Sequence, residues 1–426
     1  MKYLLAISLI LLVGALQPSA FAHTMNTAKN PSKSTPALRE RTFKKLSEAQ
    51  KQIEEEKFQE AENSLNALLN TRLNAYEKAQ TLNVKAYLYH VSNRVPAAIK
   101  SYQQILELGD LPSAFQQTIL YTLAQLHITT DNYKEALHLL EHWFELTETP
   151  TATAYGLLAQ LQYQEKHYGQ AESSINTAIQ MHQQEGKIPL EAWWQVKLAI
   201  HYEKKHYAAM IEVLTQLTTW YSRPQYWTQL ASLYGQQNQT TKQLYTLDAA
   251  YIKGDLTQEH HLLQLAHLLQ ANGAPYRAGK ILQKGMADGI IEKNRKNWQS
   301  LASAWFQAKE FENTIQALEQ TAHLSSDAQP FLQLAYLLSE QNRYKEALKF
   351  ADNALQRQPS QKDAIKIYTL IGTIEFYQKN FTAANRAFTE ALNIARLEEA
   401  DLTTLQSWIS HNKLEQQRYQ LVKEYL

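Results

Sequence analysis

The sequence contains no cysteine, which excludes disulfide bonds, thiolate catalysis, iron–sulfur clusters and cysteine-ligated zinc. Glycine and proline are scarce, with 12 and 11 residues among 426, too few for the many tight turns of an all-β sandwich. Neither sign of charge is in excess, since 42 lysines and arginines face 41 aspartates and glutamates. We therefore expect no nucleic-acid partner and no polybasic membrane surface.

The residues that are plentiful predict a folded, helical chain. Hydrophobic residues make up 44% of the sequence and charged residues 19%, a balance too apolar for a disordered protein. Alanine, leucine and glutamine are abundant, and all three favour helix. The length of 426 residues fits two or three ordinary domains or one elongated repeat array.

The first 22 residues have the pattern of a secretion signal. A basic residue, Lys2, precedes an apolar run from Tyr3 to Leu16, and Ala20-Phe21-Ala22 fits the small-x-small cleavage motif. We therefore expect residues 1–22 to be a signal peptide cleaved after Ala22, which gives a periplasmic product. An uncleaved anchor is the alternative, but the run is shorter than the ~20 residues that span a bilayer. Residues 23–40, rich in Asn, Thr, Ser, Pro and Lys, predict a flexible lead-in.

A motif of a large residue three positions before a small one recurs along the rest of the chain. The copies begin at Phe58, Val95, Tyr133, Tyr168, Tyr207, Thr240 (a degenerate copy), Pro275, Phe311, Tyr344 and Phe381. A second small residue lies about nine positions upstream of most copies, at Ala86, Ala124, Ala159, Ala231, Ala266, Ala302, Ala335 and Gly372. Two small positions per period let the backbones of paired helices approach each other.

The period predicts an all-α fold, an α–α superhelix of about ten helix hairpins over residues 41–399. Around Ala124, apolar residues at helical spacing stop at Thr129-Thr130-Asp131-Asn132, and a second apolar stripe starts at Tyr133. Residues 400–426 predict a C-terminal capping helix. Its expected buried contacts are Leu405, Trp408, Ile409, Tyr419 and Leu421.

The period and the order of small and large positions resemble the tetratricopeptide repeat. The best match runs through Phe331, Leu334, Ala335, Leu338, Tyr344, Ala347, Ala351, Ala354 and Pro359. The resemblance covers nearly all of the chain after the lead-in. It implies a solenoid whose first helices line a concave side.

Four segments carry a narrower resemblance, to the exported tetratricopeptide protein found with TonB-type energy-transduction systems of gammaproteobacteria. They are Leu73–Gln80, Leu120–Leu126, Tyr226–Gly235 and Ala274–Ala278. This resemblance implies a periplasmic accessory protein with TonB-, ExbB- and ExbD-like partners, in systems that power receptors for iron complexes. A scaffold for polysaccharide export or outer-membrane assembly is the alternative, because it uses the same solenoid.

The sharpest catalytic motif is His138-Leu139-Leu140-Glu141-His142, which matches the H-x-x-E-H of inverted zinc peptidases. Leu140, within the motif, is apolar, so an ordinary helix with an exposed polar side explains the motif equally well. His260 and His267 are two turns apart, too far for one metal ion without further ligands, so with His261 they predict ordinary surface or groove histidines. No phosphate-binding or nucleophile motif occurs. We therefore expect neither a catalytic centre nor a cofactor or metal.

Aromatic and amide residues occupy the predicted concave side of the first helices. The candidate partner-binding residues are Asn83, Tyr87, Tyr121, Gln125, Gln160, Tyr163, Gln195 and Tyr202. Tyrosine offers a flat apolar ring with one hydroxyl, and amides pair with a peptide backbone, so the set predicts peptide capture. Some tetratricopeptide modules hold the terminal carboxylate of a peptide with Lys and Asn on this inner face. The comparable positions here are mainly Tyr, Gln and Thr, which favours an internal or folded segment as the ligand. Tyr133, Tyr168, Tyr207 and Tyr344 are expected to pack between helices instead.

Overall fold

The computed structural model describes residues 37–397 and 402–425, and it folds them into 21 helices without a strand. The predicted signal peptide and most of the predicted lead-in lie outside the described residues. The described chain divides into two compact units, which meet in sequence between Ser222 and Arg223. None of the described helices is both long enough and apolar enough to cross a membrane.

Unit 1 contains five consecutive helix hairpins. Their helices are α1 (Glu40–Glu54), α2 (Phe58–Leu69), α3 (Ala75–Val91), α4 (Val95–Leu106), α5 (Ser113–Thr129), α6 (Tyr133–Leu146), α7 (Ala152–Gln164), α8 (Tyr168–Gln184), α9 (Glu191–Glu203) and α10 (Tyr207–Trp220). The two helices of each hairpin pack together, and each second helix also packs on the first helix of the next hairpin.

Unit 2 contains five more hairpins and a final helix, packed in the same order. Its helices are α11 (Pro224–Gln236), α12 (Thr240–Lys253), α13 (Glu259–Ala271), α14 (Pro275–Ala287), α15 (Arg295–Gln307), α16 (Phe311–His323), α17 (Gln329–Glu340), α18 (Tyr344–Gln356), α19 (Gln361–Tyr377), α20 (Phe381–Leu397) and α21 (Thr403–Tyr425). The predicted fold class, an all-α superhelix of about ten hairpins followed by a C-terminal helix, is confirmed.

All ten hairpins use the same turn. The residue two positions before each second helix is left-handed, as at Asn93 (φ 57°), Asp131 (φ 54°) and Gly273 (φ 76°). The next N–H donates to the carbonyl five residues earlier, for example Asn132 to His127 at 2.9 Å, which is the bond pattern of a Schellman motif. Each repeated large residue of the sequence is consequently the first residue of a second helix.

The repeated small residues lie where the paired helices approach most closely. Ala61, Ala98 and Ala136, in three second helices, are fully buried. Gly372 shows how little room exists, because a Cβ atom there would lie 2.6 Å from the ring of the buried Phe388. Of the tyrosines expected to pack between helices, Tyr133, Tyr168 and Tyr344 are partly buried. The prediction is wrong for Tyr207, which is 40% exposed.

A buried carboxylate fixes the start of unit 1. Glu77, in the first turn of α3, is fully buried and forms a capping box with Asn74. It accepts hydrogen bonds from the guanidinium of Arg39 and, at 2.9 Å, from Thr42 Oγ1. The hydrogen bonds from Arg39, above all, lower the pKa of Glu77 to about 2 despite its burial. Arg39, at the end of the predicted lead-in, is thus fixed against the second hairpin.

The C-terminal helix covers the last hairpin along its first half. Leu405 is buried, Trp408 stacks on Phe388 at 5.4 Å, and the buried Asn412 donates to the carbonyl of Phe381 at 2.9 Å. The expected burial of two residues is wrong, since Tyr419 is 41% and Leu421 55% exposed. Tyr419 still touches Phe381, with ring centroids 5.6 Å apart. Leu421 lies nine residues past Asn412, whose side chain already contacts the first residue of α20.

Candidate functional site: a polar aromatic face of unit 1

The hairpin turn supplies a register for comparing the first helices. We take as reference the residue whose carbonyl accepts the turn hydrogen bond, which is Tyr89 in α3, His127 in α5, Gln162 in α7 and His201 in α9. Counted from it, each of the eight predicted residues lies six positions before, two before or one after. At 100° per residue these positions fall within an arc of about 60°. The eight residues therefore share one face, which we call the amide–tyrosine face.

Each of these four helices contributes one amide and one tyrosine to the face. The pairs are Asn83 and Tyr87 from α3, Tyr121 and Gln125 from α5, Gln160 and Tyr163 from α7, and Gln195 and Tyr202 from α9. All four helices belong to unit 1. The structure therefore places the predicted residues on the same face of the first helices of four consecutive hairpins.

The tyrosines of the face differ in exposure. Tyr121 lies against Trp143 of α6, with ring centroids 5.3 Å apart, and Tyr163 lies 5.7 Å from Tyr168 of α8. Burial raises the pKa of both hydroxyls, and for Tyr163 the charge of Glu203 adds to the effect. Both are neutral hydroxyl groups near pH 7. Tyr202 is 45% exposed, so its side chain is accessible to a ligand.

The amides of the face are half-buried. Within the described residues, the side chains of Asn83, Gln125 and Gln160 make no hydrogen bond to the protein. Each carries two N–H donors and a carbonyl acceptor. These three side chains can therefore bind a partner without breaking an internal hydrogen bond.

The sequence prediction missed one residue of this face and the corresponding face of unit 2. His90 lies one position after the reference residue of α3, is half-buried, and has its pKa lowered by burial. In unit 2 the same register contains Phe306 of α15 and Tyr336 of α17, which are 53% and 40% exposed. A count from the turn, instead of from the small residues, would have identified these positions.

The zinc-peptidase motif lies on the outside of α6. His138, Glu141 and His142 are all exposed, while Leu139 and Leu140 within the same motif are buried. The rings of His260 and His261 lie 3.8 Å apart, and burial lowers the pKa of His261 to about 4. His267 is exposed on α13. Across the described ranges, no group of three His, Asp or Glu side chains is placed to hold a metal ion.

Comparison with known protein families identifies one of the ten hairpins. Residues 328–361, which include α17 and α18, match the family model described as tetratricopeptide repeat. The chain contains a tetratricopeptide repeat. The other nine hairpins share its turn and its order of helices.

Similar solved structures are also tetratricopeptide proteins. One, from Parabacteroides merdae, is 15% identical with a TM-score of 0.36, and the match covers 62% of this chain and 98% of that one. The C-terminal part of a repeat protein from Cytophaga hutchinsonii is 14% identical with a TM-score of 0.36, covering 68% and 99%. The TPR2AB domain of yeast Sti1, solved as a complex with pHSP90, is 12% identical with a TM-score of 0.26, covering 70% and 98%. No curated protein sequence matches the chain.

Proposed function

We propose that the chain is a non-catalytic scaffold that binds a protein partner through the amide–tyrosine face of unit 1. One observation carries the proposal: four consecutive first helices each present an amide and a tyrosine on the same face. Aromatic rings supply contact area at low entropic cost, and amides supply adaptable hydrogen bonds. Repeat arrays offer such faces as continuous binding surfaces.

We further propose that the scaffold is exported to the periplasm and serves a TonB-type transport system. The pattern of residues 1–22 supports export, and the resemblance of four segments to the TonB-associated protein supports the context. The proposed partners are TonB-, ExbB- or ExbD-like proteins, or a peptide segment of one of them. A scaffold for polysaccharide export or outer-membrane assembly is the competing function.

Affinity purification from envelope extracts tests both parts of the proposal. The bait proteins are the wild-type chain, a Gln125→Ala/Gln160→Ala variant, and a control, Gln103→Ala, whose exposed side chain lies on the second helix α4. We expect TonB-system proteins with the wild type and the control, and a clear loss with the double variant. Recovery of polysaccharide synthase subunits without TonB-system proteins would overturn the context. Equal recovery with all three baits would overturn the face as the binding site.

A further inference from the structure

We infer that the C-terminal helix α21 is a self-association surface, whose outward face pairs antiparallel with the same face of a second copy of the chain. The outward face consists of residues 413–424 around Leu414 and Leu421. This inference goes beyond the proposed function, because α21 belongs to unit 2 and the amide–tyrosine face belongs to unit 1. Either proposal can therefore fail without the other.

Leu414 and Leu421 lie on the side of α21 that faces away from the last hairpin. At 100° per residue, they are about 150–170° around the helix from the mean direction of its inward residues. Those inward residues are Leu405, Trp408 and Asn412. Leu414 is 46% and Leu421 55% exposed, and Leu414 follows the buried Asn412 by only two positions. Its exposure therefore comes from the direction in which it points, and a second chain is needed to cover it.

The spacing of the two leucines is that of paired helices. They are seven residues apart and so follow one line along α21, as the apolar residues of a helix pair do. In an antiparallel pair centred between positions 418 and 419, Leu414 of one copy lies within about 3 Å, along the helix axis, of Leu421 of the other. Two-fold symmetry repeats this contact, so all four leucines are covered at once.

The polar edge beside the leucines is self-complementary in the same arrangement. Lys413, Gln417, Gln420 and Glu424 are all exposed and lie along one edge of α21. Antiparallel pairing about the same centre places Lys413 level with Glu424 of the second copy, and Gln417 level with Gln420. Within the described residues, neither Lys413 nor Glu424 forms an ion pair. A parallel pair would leave these two charges about 17 Å apart along the axis, so the charge order favours the antiparallel pair.

The dimensions of the face fit a weak, reversible dimer. The pairing extends over 12 residues, or about 18 Å of each helix, which is small beside a permanent interface. An anionic membrane is a less suitable occupant, because residues 413–424 contain three basic and two acidic side chains. One of the basic groups, Arg418, is already paired with Glu415 at 2.6 Å. A second copy supplies both an apolar surface and the opposite charges.

Sedimentation velocity of the full chain between about 1 and 100 μM tests the inference. The variants are Leu421→Glu, the single charge reversal Glu424→Lys, and the double reversal Lys413→Glu/Glu424→Lys. The control is Ile252→Glu, because Ile252 is 71% exposed on α12 in the same unit. Thermal unfolding at the lowest concentration should match the wild type in every variant, since all the substituted positions are exposed.

We expect the average mass of the wild type to rise with concentration from one chain of 49.0 kDa towards two. Leu421→Glu should weaken association at least about tenfold, and Ile252→Glu should leave it unchanged. Glu424→Lys should weaken it about fivefold, because it places two lysines together, and the double reversal should restore it to within about twofold. A wild type that stays at one chain at the highest concentration, or a double reversal that associates no better than Glu424→Lys, would overturn the inference.

The absence of cysteine makes the orientation of the pair directly testable. We expect oxidation of an equal mixture of Lys413→Cys and Glu424→Cys to give a mixed disulfide dimer, with little product from either variant alone. Efficient homodimer formation by Lys413→Cys alone would contradict the antiparallel pairing. Binding of the wild type to phosphatidylglycerol vesicles, lost in Leu421→Glu while the protein in solution stays at one chain, would show that a membrane covers the face instead.

Discussion

The repeated left-handed turn gives a quantitative prediction about stability. At the same turn position, hairpin seven of the chain has Gly273 with φ 76° and hairpin eight has Lys309 with φ 60°. A side chain in this conformation costs about 1–2 kcal/mol relative to glycine. Replacing that side chain with glycine removes this cost, but glycine also gives the unfolded chain more entropy, which offsets about 0.4–1 kcal/mol of the stabilisation. Lys309→Gly should therefore stabilise unit 2 by about 0.5–1 kcal/mol.

The reverse change should have the opposite sign. A Cβ atom at Gly273 would meet no atom within 4 Å, so Gly273→Ala tests backbone strain without a steric clash. We expect it to destabilise unit 2 by about 1 kcal/mol. The control is Lys349→Gly, at an exposed position inside α18, which should cost about 0.5–1 kcal/mol because glycine disfavours a helix interior.

Urea and thermal unfolding of the full-length variants measure these differences. Lys309→Gly should raise the melting temperature of unit 2 by about 1–4 °C, and the other two variants should lower it by a similar amount. If Lys309→Gly destabilised unit 2 as much as Lys349→Gly does, the left-handed turn would not be the cause of the pattern, and the reasoning would be refuted.

Three other predictions follow from buried and exposed polar groups. Burial lowers the pKa of His127, so the unfolded chain takes up a proton at a higher pH than the folded protein does. The free energy of unfolding should therefore be greatest above the unfolded pKa of about 6.5 and fall by up to about 1.4 kcal/mol per pH unit below it. Urea midpoints at pH 7.5 and 5.5 should differ less in His127→Leu, and an unchanged difference would contradict this origin. Glu77→Gln should destabilise unit 1 by about 2–3 kcal/mol in urea unfolding at pH 7, since it removes charged hydrogen bonds, and a loss below 0.5 kcal/mol would count against it. Metal analysis should find no stoichiometric zinc, whereas zinc that disappears in His138→Ala would revive the peptidase hypothesis.

The sequence was most informative where a pattern repeats. All ten first residues of the repeated motif, from Phe58 to Phe381, are the first residues of second helices in the structure, even in the degenerate copy at Thr240. Repetition makes this possible because every hairpin solves the same packing problem, so a weak signal in one copy is reinforced by the others.

Features that occur once were not predictable in this way. The contact of Arg39 with Glu77 joins residues that are 38 positions apart, and neither residue carries a periodic signal. In α9 the turn register assigns the small position to Leu198, so a count from small residues alone does not fix the face there. Leu421 is exposed beyond the contact of Asn412 with the first residue of α20, a contact that an amphipathic pattern does not encode.

Site-specific photo-cross-linking tests the central claim most directly. Benzoylphenylalanine replaces Tyr202 on the amide–tyrosine face or, as a control, Tyr207 on the second helix of the same hairpin; the two side chains are 45% and 40% exposed. On irradiation of cells, we predict that the residue at position 202 forms an adduct with one distinct protein and that position 207 does not. Absence of an adduct at position 202, or the same adduct at both positions, would contradict the account.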